Sequence, residues 1–252
     1  MSQRVEGKVA VVTGGSRGVG RAVAKRLVQE GASVIVTDIN AEAGETTAAE
    51  IGARFVPQDV ANEKDWRQLR ELLEGEFGKL HILINNAAML RSANPVEETL
   101  VGWQQMMRVN ADSVFLGINT LLPLLAASGG GSIINMSSSS ALMGMPHFSA
   151  YGAAKAAVRG ITMSTAVYCK QAMNGVRCNT VHPDGINTPM IQDVASDLPP
   201  ADEQSAMRAV PFMCEPEDIA NTLLFLASDE SRHINGAAIC VDNSATIHPP
   251  HM

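Results

Sequence analysis

Tyr151 and Lys155 stand four positions apart at the start of a segment with helical periodicity, so both side chains project from one helix face. A free phenol has a pKa of about 10, too high for easy proton exchange near neutrality. An ammonium close by favours the phenolate and lowers that value. Each unit of lowering amounts to about 1.4 kcal/mol of differential stabilisation. The pair therefore suits acid–base chemistry, giving a proton to a carbonyl oxygen in reduction or taking one from an alcohol in oxidation. Ser138 lies in the run Ser137–Ser140, after a β-branched stretch, where it would hold the same oxygen by a hydrogen bond. Ser137 and Ser139 are its alternates, and Asn110 sits inside the preceding long helical segment.

A second constellation opens the chain. Thr13-Gly14-Gly15-Ser16-Arg17-Gly18-Val19-Gly20 follows a strand pattern and leads into a helix. Glycines there let the backbone turn sharply and approach a pyrophosphate, which settles against the positive end of the helix. Asp38 ends the next strand pattern, where a carboxylate accepts hydrogen bonds from the adenosine ribose and repels a 2′-phosphate. NAD is therefore favoured over NADP. Arg17 would meet a 2′-phosphate or pair with Asp38, and the carboxylate is given the greater weight. Asp59 and Val60, and Asn86 and Ala87, follow the third and fourth strand patterns. Ligands of open parallel sheets bind beyond the carboxyl ends of the strands, so these residues belong to the cofactor side.

The elements that must position these groups read as strands over 8–13, 33–37, 54–58, 81–84, 132–136, 176–181 and 238–241. Helices fill 21–30, 41–51, 63–76, 101–127, 150–173 and 216–228. Alternation at this spacing implies βαβ units and a mostly parallel sheet buried on both faces. No linker or composition shift divides the 252 residues, so one doubly wound α/β domain over 1–252 is expected. Residues from about 188 to 213 break the rhythm with four prolines among Met190, Ile191, Leu198, Met207 and Phe212. Such an insertion is expected to be a substrate loop.

Composition narrows the classes of function. The charged fraction is 18%, the hydrophobic fraction 46% and the net charge −7, with no basic block, so neither disorder nor a nucleic-acid footprint is expected. The longest apolar runs, such as 121–127 broken by Pro123, fall short of the roughly 20 residues of a membrane span, and no membrane partner is expected. The amino terminus has no apolar signal region. Cys169, Cys178, Cys214 and Cys240 are irregularly spaced and read as reduced packing residues of a cytoplasmic protein. No metal site is expected; His248 and His251 lie among prolines and read as a surface tail.

Taken together, Thr13-Gly14-x-x-x-Gly18-x-Gly20, Asn85-Asn86-Ala87, Asn110, Ser138 and Tyr151-x-x-x-Lys155 resemble the short-chain dehydrogenase/reductase family over nearly the whole chain. The resemblance implies a single-domain Rossmann fold and NAD(P)-dependent oxidoreduction, with Tyr151 as the acid/base and Ser138 positioning the substrate oxygen. Ser138 fits as the third residue after Asn135 and 13 before Tyr151. Lys155 would bind the nicotinamide ribose and tune Tyr151, and Asn110 would support Lys155 through a water-linked relay. Tyr151 also counts among the cofactor contacts, and Ile186 and Thr188 would meet the carboxamide or pyrophosphate. A homotetramer packed through the helices over 101–127 and 150–173 is implied as well.

A narrower likeness comes from His182-Pro183-Asp184-Gly185-Ile186-x-Thr188-Pro189-Met190, Phe225–Ser231 and Asp242-Asn243-Ser244, which are similar to bacterial 3β/17β-hydroxysteroid dehydrogenases. Asp184 follows Pro183 where the wider family has glycine, and Ala88 replaces the glycine that usually ends the Asn-Asn-Ala motif. Met89, Leu142, Met143, Met145, Phe148, Met190, Met207 and Met213 fall near the proposed catalytic segments. Thioethers adapt to irregular apolar shapes. Ser138, Met145, Tyr151 and Met190 are accordingly the expected substrate contacts for a bulky, weakly polar small molecule, a hydroxysteroid or similar alicyclic alcohol. Two readings stay open beside it: a 3-oxoacyl thioester reductase, and a non-catalytic nucleotide-sensing protein on the same fold.

Overall fold

The structure, a computed structural model, describes residues 3–195 and 213–247. The expected tail histidines, Met207 and most of the substrate loop lie outside the described residues.

Seven strands form one parallel sheet in the order β3-β2-β1-β4-β5-β6-β7. They are β1 (Val9–Thr13), β2 (Ser33–Asp38), β3 (Arg54–Pro57), β4 (Ile82–Asn85), β5 (Gly131–Met136), β6 (Val176–Pro183) and β7 (Ala238–Val241). One face carries α1 (Gly18–Gln29), α2 (Ala41–Ile51) and the helix Pro216–Ala227; the other carries α3 (Glu63–Leu72), a long helix from Leu100 and α6 (Ser149–Gln171). Each strand feeds apolar side chains alternately to two cores. Val12, Val36 and Ile84 pack with Val23 and Leu27 on one side, and Val11, Ile35 and Leu83 pack with Trp66 and Leu121 on the other. The strand order reverses between β1 and β4, and the crevice beyond that point is where ligands of such sheets bind.

The helix expected over 101–127 is not uniform. α4 (Leu100–Met107) passes through a π turn, Arg108–Asp112, into α5 (Ser113–Ala127), and α5 accommodates Pro123. The continuous unit, Leu100–Ala127, is long and apolar enough to cross a membrane by length and composition. The broken runs in the sequence did not convey this length. Half of its most apolar stretch is buried, with α5 packed against α3, β4 and β5. The helix expected over 63–76 likewise ends in a π turn, Leu73–Phe77, closed by Gly78 at φ +64°.

Candidate active site

The glycine loop is pinned from the neighbouring strand end. Asn86 Nδ2 donates to the carbonyls of Thr13 and Gly14 at 2.9 and 3.1 Å, and the Asn86 and Ala87 N–H groups donate to Thr13 Oγ1, both at 3.0 Å. The loop then runs so close to β4 that a Cβ on Gly14 (φ +61°) would lie 2.7 Å from Ala87 Cα. A Cβ on Gly20 would strike the Gly14 carbonyl and lie 2.6 Å from Asn86 Nδ2. α1 starts at Gly18 behind Arg17, whose side chain makes no capping hydrogen bond, and its first turn holds no acidic residue. Unsatisfied N–H groups at a helix start, reached by a bare glycine backbone, suit a pyrophosphate. The residues present therefore fit a dinucleotide. Ala88 does not disturb this, because its backbone is outside the left-handed region that would demand glycine.

At the far end of the crevice, the Asp38 carboxylate is fixed from three directions. The Ser16 N–H and hydroxyl donate to Oδ2 at 3.2 and 2.6 Å, and Asn40 N–H donates to Oδ1 at 3.0 Å. Ser16, expected to touch the cofactor, is 6% exposed and is not part of the crevice wall; its hydroxyl is taken up by Asp38. Arg17 does not pair with Asp38. It lines the crevice and reaches Asp193 at 3.9 Å. Asp59 and Val60 also line it, and they are held by Asp65, which accepts from Asp59 N–H at 2.9 Å, and by Trp66, whose indole donates to Val60 O at 2.8 Å.

The crevice encloses about 470 Å³ and continues to the residues read as acid–base groups. Ser138, Tyr151 and Lys155 all line it, as do Ile186, Thr188 and Met190. Ser138 follows β5 by two residues in extended backbone, and its hydroxyl accepts the Ser140 N–H at 3.2 Å and acts on Tyr151. Tyr151 and Lys155 enter from the first turns of α6. Lys155 is 2% exposed; its Nζ donates to the Met136 carbonyl at 2.8 Å and lies 5.6 Å from the centre of the Tyr151 ring.

The electrostatics of this cluster differ from the sequence expectation. Burial pushes the Tyr151 phenol up to about 12, and the Ser138 hydrogen bond only partly opposes it. Burial brings Lys155 down to about 8. In the protein alone, desolvation thus outweighs the ammonium's pull on the phenol. Both shifts disfavour charge: the phenol stays protonated near neutrality, while the Lys155 amine still carries most of its charge at pH 7.

Asn110 sits elsewhere than a direct contact of Lys155. It occupies the π turn, fully buried, and its amide donates to the carbonyls of Met89 and Met106 at 3.0 and 3.1 Å while accepting Met89 N–H at 3.2 Å. The extra residue of the π turn aims this amide at the segment after β4, so both main-chain groups of Met89 are fixed beside the crevice. Met145 is not part of the crevice wall, and Leu142 and Met143 are exposed. Ala93 pairs with Phe148, and its N–H donates to the His147 carbonyl at 2.8 Å, which fixes the end of the 142–147 segment. Met89, Leu90, Gln105 and Val109 supply that wall instead. The sequence carried no signal for Gln105 and Val109, because which side chains of this helix meet the crevice depends on how it docks beside the strand ends. Asp184 and Gln58 also line the crevice; burial raises the Asp184 carboxyl, with Asp242 adding repulsion.

A parallel sheet with a glycine cradle at its switch point defines an α/β protein of the dinucleotide-binding class, and the same crevice gathers a Ser–Tyr–Lys group of a kind suited to acid–base chemistry. A family model described as Enoyl-(Acyl carrier protein) reductase matches residues 14–246. The 3-beta-hydroxysteroid dehydrogenase of Comamonas testosteroni is 39% identical over 251 residues, covering 97% of this chain and 98% of its own. The NADP-dependent (R)-specific alcohol dehydrogenase of Lentilactobacillus kefiri is 39% identical over 254 residues, covering 98% and 99%. A solved structure described as gox2181 shares the fold, with a TM-score of 0.91 at 24% identity over 98% of both chains. The chain belongs to the short-chain dehydrogenase/reductase family.

Proposed function

We propose that the protein is an NAD-dependent oxidoreductase interconverting a secondary alcohol and a ketone, with a bulky alicyclic alcohol such as a hydroxysteroid as substrate. The observation that carries the reading is the convergence of Ser138, Tyr151 and Lys155 in one crevice with the glycine cradle and Asp38. The nicotinamide, when bound, supplies or accepts the hydride. Ser138, already oriented by Ser140 N–H, holds the substrate oxygen, and Tyr151 exchanges the proton with it. Lys155 keeps its ammonium beneath the phenol ring, where it and a positively charged oxidised cofactor favour the phenolate against the opposing effect of burial. Asn110 joins Lys155 through water in this reading.

Asp38 supports NAD, since its carboxylate would face a 2′-phosphate; the Lentilactobacillus kefiri relative, by its description, uses NADP, so cofactor choice is tested directly. The apolar wall of Met89, Leu90, Val109 and Met190 supports a hydrocarbon ring rather than a sugar. The family model's description favours a second reading, reduction of an acyl thioester. A turnover panel of cyclic alcohols, hydroxysteroids and 3-oxoacyl thioesters, run with NAD and NADP side by side, separates the two. Activity confined to charged thioesters or sugars overturns the proposal.

The outward faces of α5 and α6 expose Phe115, Met163, Val167 and Tyr168. Exposed apolar side chains on these two helices support assembly through them into a homotetramer, checked by light scattering on the eluting protein. Location in the cytoplasm belongs to the same reading, consistent with four free thiols.

A further inference from the structure

His182 is wholly buried on β6, one residue past the last rung that ties β5 to β6. Met136 pairs with Val181 and Ser137 N–H donates to the Val181 carbonyl at 2.8 Å, after which the β5 chain turns away into the short helix Ser139–Ala141. Beyond that rung Pro183 has no N–H to offer the departing chain, and the Ser138 carbonyl has no strand partner. It accepts Ala141 N–H at 3.1 Å from within its own turn and His182 Nδ1 at 3.0 Å from across the gap. A carbonyl only accepts, so Nδ1 carries the imidazole proton. Nε2 then accepts the hydroxyl of Thr180, 2.8 Å away on the same face of the strand. Burial, helped by Arg159 and Lys155, keeps the ring neutral, as this arrangement requires.

We propose that His182 is a positioning residue for Ser138: its imidazole ties the departing chain to β6 beyond the last rung and fixes the serine from behind, in the tautomer that the Ser138 carbonyl imposes and the Thr180 hydroxyl accommodates. The inference rests on the role given to Ser138 above and adds a residue to it. Of the contacts holding Ser138, those of Ala141 and Ser140 come from its own turn and travel with it, whereas the imidazole anchors it to a different strand. Ser137 stays tied to the Lys155 carbonyl at 2.9 Å and to Val181, so loss of the imidazole lets Ser138 shift about that fixed point relative to Tyr151 on α6.

The test is a cycle of His182→Leu, His182→Asn, Ser138→Ala and the His182→Leu/Ser138→Ala double variant. Alcohol oxidation is read by single-turnover NADH fluorescence and cofactor binding by NADH titration. Asn places an amide N–H near the Nδ1 position, and Leu has a similar shape without it. His182→Leu is expected to lower kcat about tenfold with NADH affinity unchanged, and His182→Asn to stay within about threefold of the parent. In the Ser138→Ala background the Leu change is expected to cost less than about twofold, since the group it acts through is gone. Full activity of His182→Leu, equal losses for Leu and Asn, or an undiminished loss in the Ser138→Ala background overturns the inference. Full activity of Ser138→Ala overturns the proposed function itself, a separate result. If the Leu variant does not fold, Thr180→Val in the same cycle replaces it, with an expected loss of about threefold that must also vanish with Ser138→Ala.

Discussion

Replacing Lys155 by methionine should stabilise the cofactor-free protein while removing its catalysis. The lysine is 2% exposed, its Nζ donates to the Met136 carbonyl at 2.8 Å, and burial lowers its pKa from 10.5 to about 8. Between these two values the unfolded chain binds more protons than the native one, so parental stability rises with pH from about 8 to 10.5. Below about pH 8 the cost of burying the charge is present in full. At 1.36 kcal/mol per unit that cost is about 3 kcal/mol at pH 7. Methionine fills a similar volume without charge but withdraws a donor from the Met136 carbonyl, a loss of about 1–2 kcal/mol. The net gain of about 1–2 kcal/mol corresponds to a Tm higher by about 2–8 °C for a domain of this size. Thermal unfolding of both proteins at pH 7, 8.5 and 10.5 measures it. The advantage should shrink as pH rises and reverse at the top, where the parental amine is neutral and only the lost hydrogen bond counts. A variant less stable at pH 7, or an advantage unchanged across the range, refutes the argument that desolvation governs this site.

Tyr151→Phe should lower alcohol oxidation by about 10²- to 10⁴-fold, far more than it changes NADH affinity by titration, because it removes the proton-exchanging hydroxyl and leaves the ring. Asp38→Ala should shift the ratio of kcat/KM for NADP over NAD upward by at least about tenfold, read from initial rates with each cofactor. Stability should also fall in mild acid through His81, whose Nδ1 accepts Val9 N–H at 3.0 Å and must be unprotonated to do so. Burial and the nearby Lys8 and Lys79 lower its pKa from 6.5, so the loss begins as pH falls through about 6.5, where the unfolded chain takes up the proton first. In His81→Asn, whose side-chain oxygen accepts the same N–H, denaturation midpoints between pH 7 and 5 should lose that component of the slope.

The sequence by itself determined the local grammar of the protein. β-branched runs alternating with helical periods specified a parallel sheet, and all seven strands lie where they were expected, to within a few residues at their ends. The glycine spacing and the four-residue step from Tyr151 to Lys155 are likewise local, which is why the crevice brings them together as read.

What only the tertiary structure decided are quantities set by neighbours far apart in the chain. Arg17 reaches Asp193 rather than Asp38 because a distant helix arrives beside it, and Ser16 is drawn under the carboxylate. Met145 lies outside the crevice wall, in a segment whose end is held by Ala93, some fifty residues earlier. The π turn that aims Asn110 at Met89 is a single extra residue in a helix, invisible to a period of 3.6. Spacing alone placed an ammonium beside a phenol and implied an acidified tyrosine. The packed interior, by removing water from both groups, set their proton affinities in the opposite order.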